Sequence, residues 1–346
     1  MPILLSEQDV RIVLSMDELI GVMETALVEF SAGSVAQPLR TVIEVGLQKA
    51  FFGVMPACIP EPASASVRQE HSRTSARPRQ SFGEGGALGA KLVTVFGSNP
   101  AAGLPTHLAT IVLLDSMTGE LLAVIDGRYI TEARTAAVSA VSVKLLAREG
   151  ADTLAMIGSG VQARSHVEAI GRVRPLRRVR VWSPNPDSRS AFGREMQPRI
   201  KTPITLCTSA QEALDGADLV VLATSAREPV VRSEWVADGA HICAIGACRP
   251  DQREMDSALV SRSRLFVDSR TAALTEAGDV LLAMKDGAVN IAGELGELAA
   301  GRVTGRGSAE EVTIFKSLGM AVEDIAAAHL AFVKAAERGL GRGFVI

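Results

Sequence analysis

The sequence predicts an α/β protein built from two domains, or from one domain interrupted by another, and three observations carry that reading. The chain has 346 residues, more than a single hydrophobic core usually supports. From Thr153 onward, short apolar runs rich in Val, Ile and Leu alternate with stretches of helical periodicity. One of those runs ends in a glycine-rich loop, Gly158-Ser159-Gly160-Val161-Gln162-Ala163, that opens a helix.

The elements follow in order. Apolar residues recur at helical spacing from Ser6 to Ser31 (Val10, Val13, Leu14, then Leu19, Ile20, Met23, Leu27, Phe30), with Ser6 and Ser15 placed as N-caps, so two short helices open the chain. Strands are expected at 41–46, 50–55, 88–96 and 108–114, separated by Gly, Pro and Asn. Residues 61–85 are rich in Ser, Arg, Gln and Glu and read as a flexible loop; a lid over an active site and a tolerated surface insertion both fit. A helix of small apolar residues is expected over 131–148. Strand and helix then alternate: 154–157, 161–173, 179–182, 188–200, 204–207, 210–214 and 219–223, the βαβαβ half of a doubly wound sheet. Further strands at 241–245 and 265–267 and a terminal helix over 317–338 complete the reading.

Composition narrows the function classes. Aromatic residues are 4% of the chain, too few for base-stacking surfaces, and 36 basic against 39 acidic residues leave a net charge of -3, so no field draws the protein to nucleic acid or an anionic membrane. Cys58, Cys207, Cys243 and Cys248 have neither CxxC spacing nor a paired histidine, which argues against a disulfide framework and against a metal site. No basic segment followed by an apolar run opens the chain, and no stretch approaches the roughly 18 uncharged apolar residues of a bilayer span. A cytoplasmic enzyme is expected.

The glycine loop carries the chemistry. Gly158 permits a tight turn, Gly160 lets backbone approach a pyrophosphate, and Ala163 takes the third small position, for close helix–strand packing. The helix N-terminus then offers free N–H groups to the phosphates, so Gly158, Ser159, Gly160, Val161 and Gln162 are read as contacts of a nicotinamide dinucleotide on a Rossmann fold. The second strand ends in Ser183-Pro-Asn185-Pro-Asp187-Ser-Arg189, without the acidic residue that would bind a ribose 2′-OH. Ser183 and Asn185 suit hydrogen bonds to a 2′-phosphate and Arg189 suits an ion pair with it, so NADP(H) is favoured over NAD(H). The alternative keeps Arg189 solvated and gives the ribose to Asp187.

Several segments in a fixed order carry a resemblance: Gly86-Ala-Leu-Gly-Ala-Lys91, Gly103-Leu-Pro-Thr-His107, Thr131-Glu-Ala-Arg134-Thr-Ala-Ala-Val-Ser139, the Gly158 loop, Arg249-Pro-Asp-Gln-Arg-Glu-Met-Asp256, Glu276-Ala-Gly-Asp279, Glu294-Leu-Gly-Glu297 and Thr313-Ile-Phe-Lys-Ser-Leu-Gly319. Together they resemble the ornithine cyclodeaminase/mu-crystallin family over nearly the whole chain. The resemblance implies a Rossmann dinucleotide-binding domain, 129–317, inserted into a smaller α/β substrate and dimerisation domain, 1–128 plus 318–346, and hence a homodimer. It implies a small amino or imino acid as substrate, its carboxylate clamped by Arg40, Lys91 and Arg134, with Lys91 and Arg134 catalytic. Taken alone, Arg40 and Lys91 fit solvated positions equally well. The resemblance also places Thr106, His107 and Arg134 near the nicotinamide half of the cofactor, Thr224 and Ser225 beside a ribose, and Gly246 at the cofactor crevice. A lone histidine such as His107 is as readily structural.

Cyclodeaminases of this family carry an aspartate after the segment Ile245-Gly246, where this chain has Ala247-Cys248-Arg249-Pro250. A thiol does not hold a carboxylate's charge at neutral pH, so the chain looks like the reductase and mu-crystallin branch. Asp251, three residues on, either takes over the role or forms a turn after Pro250. Three activities stay open. The first is reduction of cyclic ketimines of the pyrroline-2-carboxylate or piperideine-2-carboxylate type to proline or pipecolate-like amino acids. The second is an ornithine cyclodeaminase or alanine-type dehydrogenase reaction. The third is NADPH-dependent ligand binding without catalysis.

Overall fold

The computed structural model describes residues 1–46, 50–60, 86–287 and 289–345; the loop expected at 61–85 lies outside them. The chain folds as two compact units, Met1–Arg134 with Met320–Ile346, and Thr135–Gly319. Reading from the sequence had divided it at 128/129 and 317/318.

The first unit opens with a strand that periodicity did not indicate, β1 (Ile3–Leu5). Helix α1 (Glu7–Val13) begins at a capping box, with the Ser6 hydroxyl accepting from Asp9 N–H and the Asp9 carboxylate accepting from Ser6 N–H. Helix α2 (Met16–Ser31) follows Ser15. Strands β2 (Thr41–Val45), β3 (Ala50–Ile59), β4 (Ala87–Val95), β5 (His107–Leu114) and β6 (Leu121–Asp126) lead into α3 (Gly127–Leu146), the helix in which the first unit ends.

The second unit runs β7 (Thr153–Ile157), α4 (Val161–Val173), β8 (Arg178–Trp182), α5 (Pro186–Met196), β9 (Ile204–Leu206), α6 (Ala210–Leu214), β10 (Leu219–Leu222) and β11 (His241–Ala244). It continues with α7 (Ser257–Arg262), β12 (Arg264–Val267), α8 (Arg270–Glu276), α9 (Gly278–Asp286), β13 (Ile291–Glu294), α10 (Leu295–Ala299) and β14 (Thr313–Lys316). The chain then returns to the first unit as α11 (Ala321–Glu337) and β15 (Arg342–Gly343).

In the first unit the strand order is β15-β1-β6-β5-β4-β3-β2, antiparallel except for the β1–β6 pair. Alternate residues bury one face: Met55, Ala57 and Ile59 on β3, Ala87, Gly89 and Lys91 on β4, Ile111 and Leu113 on β5. Helix α11 packs on β3, β4 and β5, and α2 packs on α11. Gly89 permits that approach, since a Cβ there would stand 3.0 Å from the Ile325 side chain of α11 and 2.4 Å from the Val112 carbonyl. Buried side chains such as Leu27, Ile111 and Ile325 each contribute about 1.5–3 kcal/mol of transfer free energy.

In the second unit all strands are parallel, ordered β13-β12-β14-β11-β10-β7-β8-β9. The chain fans outward through β7, β8 and β9, then resumes at β10 on the other side of β7, so the order reverses between β7 and β10. Open α/β sheets bind ligands at such a reversal, outside the carboxyl ends of the strands. The expected terminal helix over 317–338 is corrected here. Thr313–Lys316 form a fully buried strand wedged between β11 and β12, and Gly319, at φ 77°, breaks the chain before α11 starts at Ala321. Four residues ending in a lysine carry too little periodicity to announce a central strand. Among the described residues no helix is long and apolar enough to cross a membrane.

Candidate active site

In the first unit the inward alternation of β4 turns Lys91 into the core, where its side chain is 2% exposed. Its Nζ lies 2.6 Å from Oδ2 of Asp324, in the first turn of α11, where the helix dipole favours a carboxylate. The other oxygen, Oδ1, accepts from Arg134 Nε at 2.9 Å, and Arg134 Nη1 donates to Glu323 Oε2 at 2.6 Å. Glu323 Oε2 also accepts from Met320 N–H, so the same carboxylate caps α11 and holds the guanidinium. Arg40 is half-buried, and the segment before it is pinned to α11 by Gln37 Oε1 accepting from Val322 N–H at 2.7 Å.

Charge balance sets the protonation states. Burial opposes ionisation of Asp324, but the charges of Arg134 and Lys91 hold its carboxyl below the ordinary aspartate range. Burial pushes the Lys91 ammonium down to about 8; Asp324 pulls it up, while Arg134 and Arg40 push it down. His107, at the start of β5, is pushed down to about 4 by burial and then by Lys91 and Arg134, so it is neutral at physiological pH. Thr106 is exposed and its carbonyl accepts from Phe96 N–H. Of the residues expected in this half, Lys91 comes within electrostatic reach of Arg134, Arg40 and His107, and His107 within reach of Arg134.

Sequence reasoning missed Glu323 and Asp324. The available signal was a pair of adjacent carboxylates among Ala321, Val322, Ile325, Ala326 and Ala327, an acidic dipeptide on what is otherwise a core-facing helix.

In the second unit the glycine loop has the shape of a phosphate cradle. Gly158 adopts φ 121°, and a Cβ there would stand 2.5 Å from the Ala223 carbonyl oxygen. Gly160 is the N-cap of α4, supplies no side-chain cap, and has open space where a Cβ would point. The first-turn N–H groups of α4 therefore face outward for an anion. Ser159 and Ser183 share a 2.8 Å hydroxyl contact that joins the ends of β7 and β8. Arg164, not foreseen, donates through Nη1 to the Ser159 and Gly160 carbonyls at 2.8 and 2.9 Å. His166 Nδ1 contacts the Gln162 carbonyl at 2.7 Å. Val161 is exposed beside the loop.

Around the second strand, Asn185 is the N-cap of α5, its Oδ1 accepting from Asp187 and Ser188 N–H, and Arg189 Nη1 donates to the Ser183 carbonyl. Ser225 is exposed, whereas Thr224 and Gly246 meet closely: a Cβ on Gly246 would stand 2.1 Å from the Thr224 carbonyl oxygen. Cys248 is half-buried with its thiol 3.4 Å from the Ile245 carbonyl. Asp251 is exposed in a turn and pairs with Arg227 at 3.4 Å.

The chain is 42% identical over 335 residues to the ketimine reductase mu-crystallin of Mus musculus, covering 96% of each. The Delta(1)-pyrroline-2-carboxylate reductase of Thermococcus litoralis, solved with NADH and L-proline, superposes with a TM-score of 0.90 at 37% identity, over 99% of this chain and 100% of that one. An archaeal alanine dehydrogenase dimer with bound NAD superposes with a TM-score of 0.87 at 30% identity, over 99% and 98%. The model of the ornithine cyclodeaminase/mu-crystallin family matches residues 59–339. With that match spanning most of the chain, the protein belongs to the ornithine cyclodeaminase/mu-crystallin family.

Proposed function

We propose that the protein is a nicotinamide-dependent reductase of small cyclic ketimines bearing a carboxylate next to the imine carbon. The observation that carries this reading is the buried cluster of the first unit. Lys91 and Arg134 are held in the core by Asp324 and Glu323, beside a neutral His107 and with Arg40 in electrostatic reach of Lys91, so basic groups converge where a substrate carboxylate would bind. Likeness to a mouse ketimine reductase and to a pyrroline-2-carboxylate reductase supports the substrate class.

The cradle of the second unit fits a dinucleotide pyrophosphate, given the uncapped N-terminus of α4 and the open space at Gly160. When bound, NAD(P)H supplies the hydride that reduces the imine carbon. Arg134 and Arg40 hold the substrate carboxylate, the guanidinium of Arg134 being oriented by Glu323 and Asp324 before substrate arrives. Lys91 donates the proton to the imine nitrogen: with its ammonium at about 8 it is mostly protonated at neutral pH yet acidic enough to give the proton up. Asp324 steadies Lys91 between turnovers. His107, neutral, serves as a hydrogen-bonding contact.

The preferred cofactor in this reading is NADP(H), because the end of β8 has no acidic residue before Asp187 and Arg189 stands on the following helix. The protein acts as a homodimer, as does the archaeal alanine dehydrogenase it resembles. Edge strand β2 exposes Val42, Ile43 and Val45, a surface suited to a second copy.

The test follows NADPH and NADH absorbance with pyrroline-2-carboxylate and piperideine-2-carboxylate, with chiral analysis of the product. Stoichiometric oxidation with formation of proline or pipecolate is expected. Failure to reduce any cyclic imine, or formation of proline from ornithine without net oxidation, would overturn the proposal. Sedimentation reports the dimer.

A further inference from the structure

The second unit buries a carboxylate that the proposed reaction does not use. Glu254 lies on the stretch between β11 and α7, is 0% exposed, and reaches the carboxyl ends of two neighbouring strands. Oε1 accepts from Thr224 N–H at 2.6 Å, just past β10. Oε2 accepts from Gly246 N–H at 2.8 Å and Ala247 N–H at 3.2 Å, just past β11. Parallel strands leave the sheet at this edge with their next amides unpaired by the ladder, so one side chain closes both strand ends at once.

The carboxylate is itself fixed. Its own N–H and that of Met255 donate to Asp279 Oδ1 at 2.7 and 3.1 Å. Asp279 Oδ2 lies 3.1 Å from the ammonium of Lys316, the last residue of β14, and both groups are fully buried. Gly278 lets α9 come close, since a Cβ there would stand 1.9 Å from the Gln252 carbonyl. Two strand ends thus meet at the Glu254 carboxylate, and behind it the Asp279 carboxylate ties the Glu254 backbone and α9 to β14. Burying charges this way rarely stabilises a fold better than apolar packing, so the arrangement is better explained by what it holds in place.

What it holds is the pair of loop ends that carry Thr224 and Gly246, next to the reversal of strand order between β7 and β10. Gly246 is seated so tightly on Thr224 that no side chain fits there, and Gly158 of the phosphate cradle abuts Ala223 on the same loop end. Moving the Thr224 strand end therefore disturbs the cradle as well.

We propose that Glu254 is a positioning residue for the dinucleotide, its carboxylate locking the backbones of Thr224, Gly246 and Ala247 into the rim that receives the cofactor. This rests on the cofactor reading above and goes beyond it, since Glu254 is fully buried and acts through the loop backbones it holds.

The experiment uses the full-length protein and measures NADH and NADPH binding by fluorescence titration, beside steady-state kinetics. Glu254→Gln keeps the shape but turns an N–H2 towards amides that need an acceptor. It is expected to weaken both cofactors by at least tenfold. At saturating cofactor, the KM for the imine stays within twofold of wild type, because the first-unit residues are untouched. Glu254→Asp, one methylene shorter with its charge retained, is expected to recover part of the cofactor affinity and supplies the reading should the glutamine variant fail to fold. Cofactor affinity within twofold of wild type in the folded glutamine variant, or in the aspartate variant where the glutamine variant does not fold, would overturn the proposal. So would a loss that falls equally on cofactor affinity and imine KM, the mark of a general loosening. If the wild-type protein binds neither nucleotide, the cofactor reading fails instead, and the two failures are told apart by that first titration.

Discussion

Asp324→Asn separates the charge of the central carboxylate from its shape. Oδ1 still accepts from Arg134 Nε, but the negative charge 2.6 Å from Lys91 Nζ disappears. Lys91 is already pushed down to about 8 by burial, with Asp324 as the group that pulls it up and Arg134 and Arg40 pushing the other way. Removing an opposite charge at contact lowers such a group by roughly 1–3 units. A drop of about 2 units brings the ammonium to about 6, and the protonated fraction at pH 7 falls from roughly nine-tenths to roughly one-tenth.

If Lys91 is the proton donor, kcat/KM reports its ionisation in the free protein, and only the protonated form works. The wild-type alkaline limb should therefore fall near pH 8, and the variant's near pH 6, with about a tenfold deficit at pH 7 that shrinks on acidification. Leaving Lys91 or Arg134 without its buried partner also costs about 3–5 kcal/mol of stability, so the profile is measured at low temperature and normalised to folded protein. An alkaline limb unmoved in a folded variant would refute both the donor assignment and the electrostatic account of Lys91.

Three other substitutions address the second unit. Gly158→Ala forces a side chain into φ 121° with its Cβ 2.5 Å from the Ala223 carbonyl, and should weaken cofactor binding by at least tenfold by fluorescence titration while leaving the first-unit cluster unchanged. Arg189→Ala should raise the KM for NADPH by roughly tenfold, the worth of one charge-assisted hydrogen bond, and leave that for NADH within twofold; equal effects would remove the basis for NADP(H) preference. The third variant, His241→Gln, concerns acid stability. Burial holds His107 and His166 at about 4 and His241 at about 3, so all three are neutral in the fold and take up protons on unfolding below pH 6.5, whereas Glu254, which burial pushes up to about 7, works in the opposite sense. The unfolded chain then binds up to about two more protons net, stability falls by about 3 kcal/mol between pH 6.5 and pH 5, and the variant should flatten that slope in urea midpoints.

Much of the second unit was legible because its signals are local. A β-strand followed by Gly158-Ser-Gly160 and an amphipathic helix is read within a few dozen residues, and α4 and α6 fall over the stretches where periodicity placed them. Strand β14 was missed for the opposite reason. It inserts between β11 and β12 after both have formed in sequence, a long-range pairing that four residues cannot advertise. In the first unit β2 to β5 were readable by alternation, but β6 was not expected, and β1 and β15 are three and two residues long and exist through pairing with β6 and with each other.

The site divides along the same line. Lys91 and Arg134 were reached through resemblance, since neither position betrays burial by its neighbours alone. Asp324 was not reached, because its importance lies in an encounter across more than two hundred residues between the first turn of α11 and the middle of β4. That encounter depends on Gly89, whose missing side chain lets α11 lie on the sheet. A carboxylate, an ammonium and a guanidinium buried together must share their charges or lose far more than they gain from packing. They do share them here, Asp324 giving one oxygen to each cation, so the clamp is assembled before any ligand arrives. In the proposed reaction, the proton that a ketimine needs is then held on Lys91, beside the guanidinium that would bind its carboxylate.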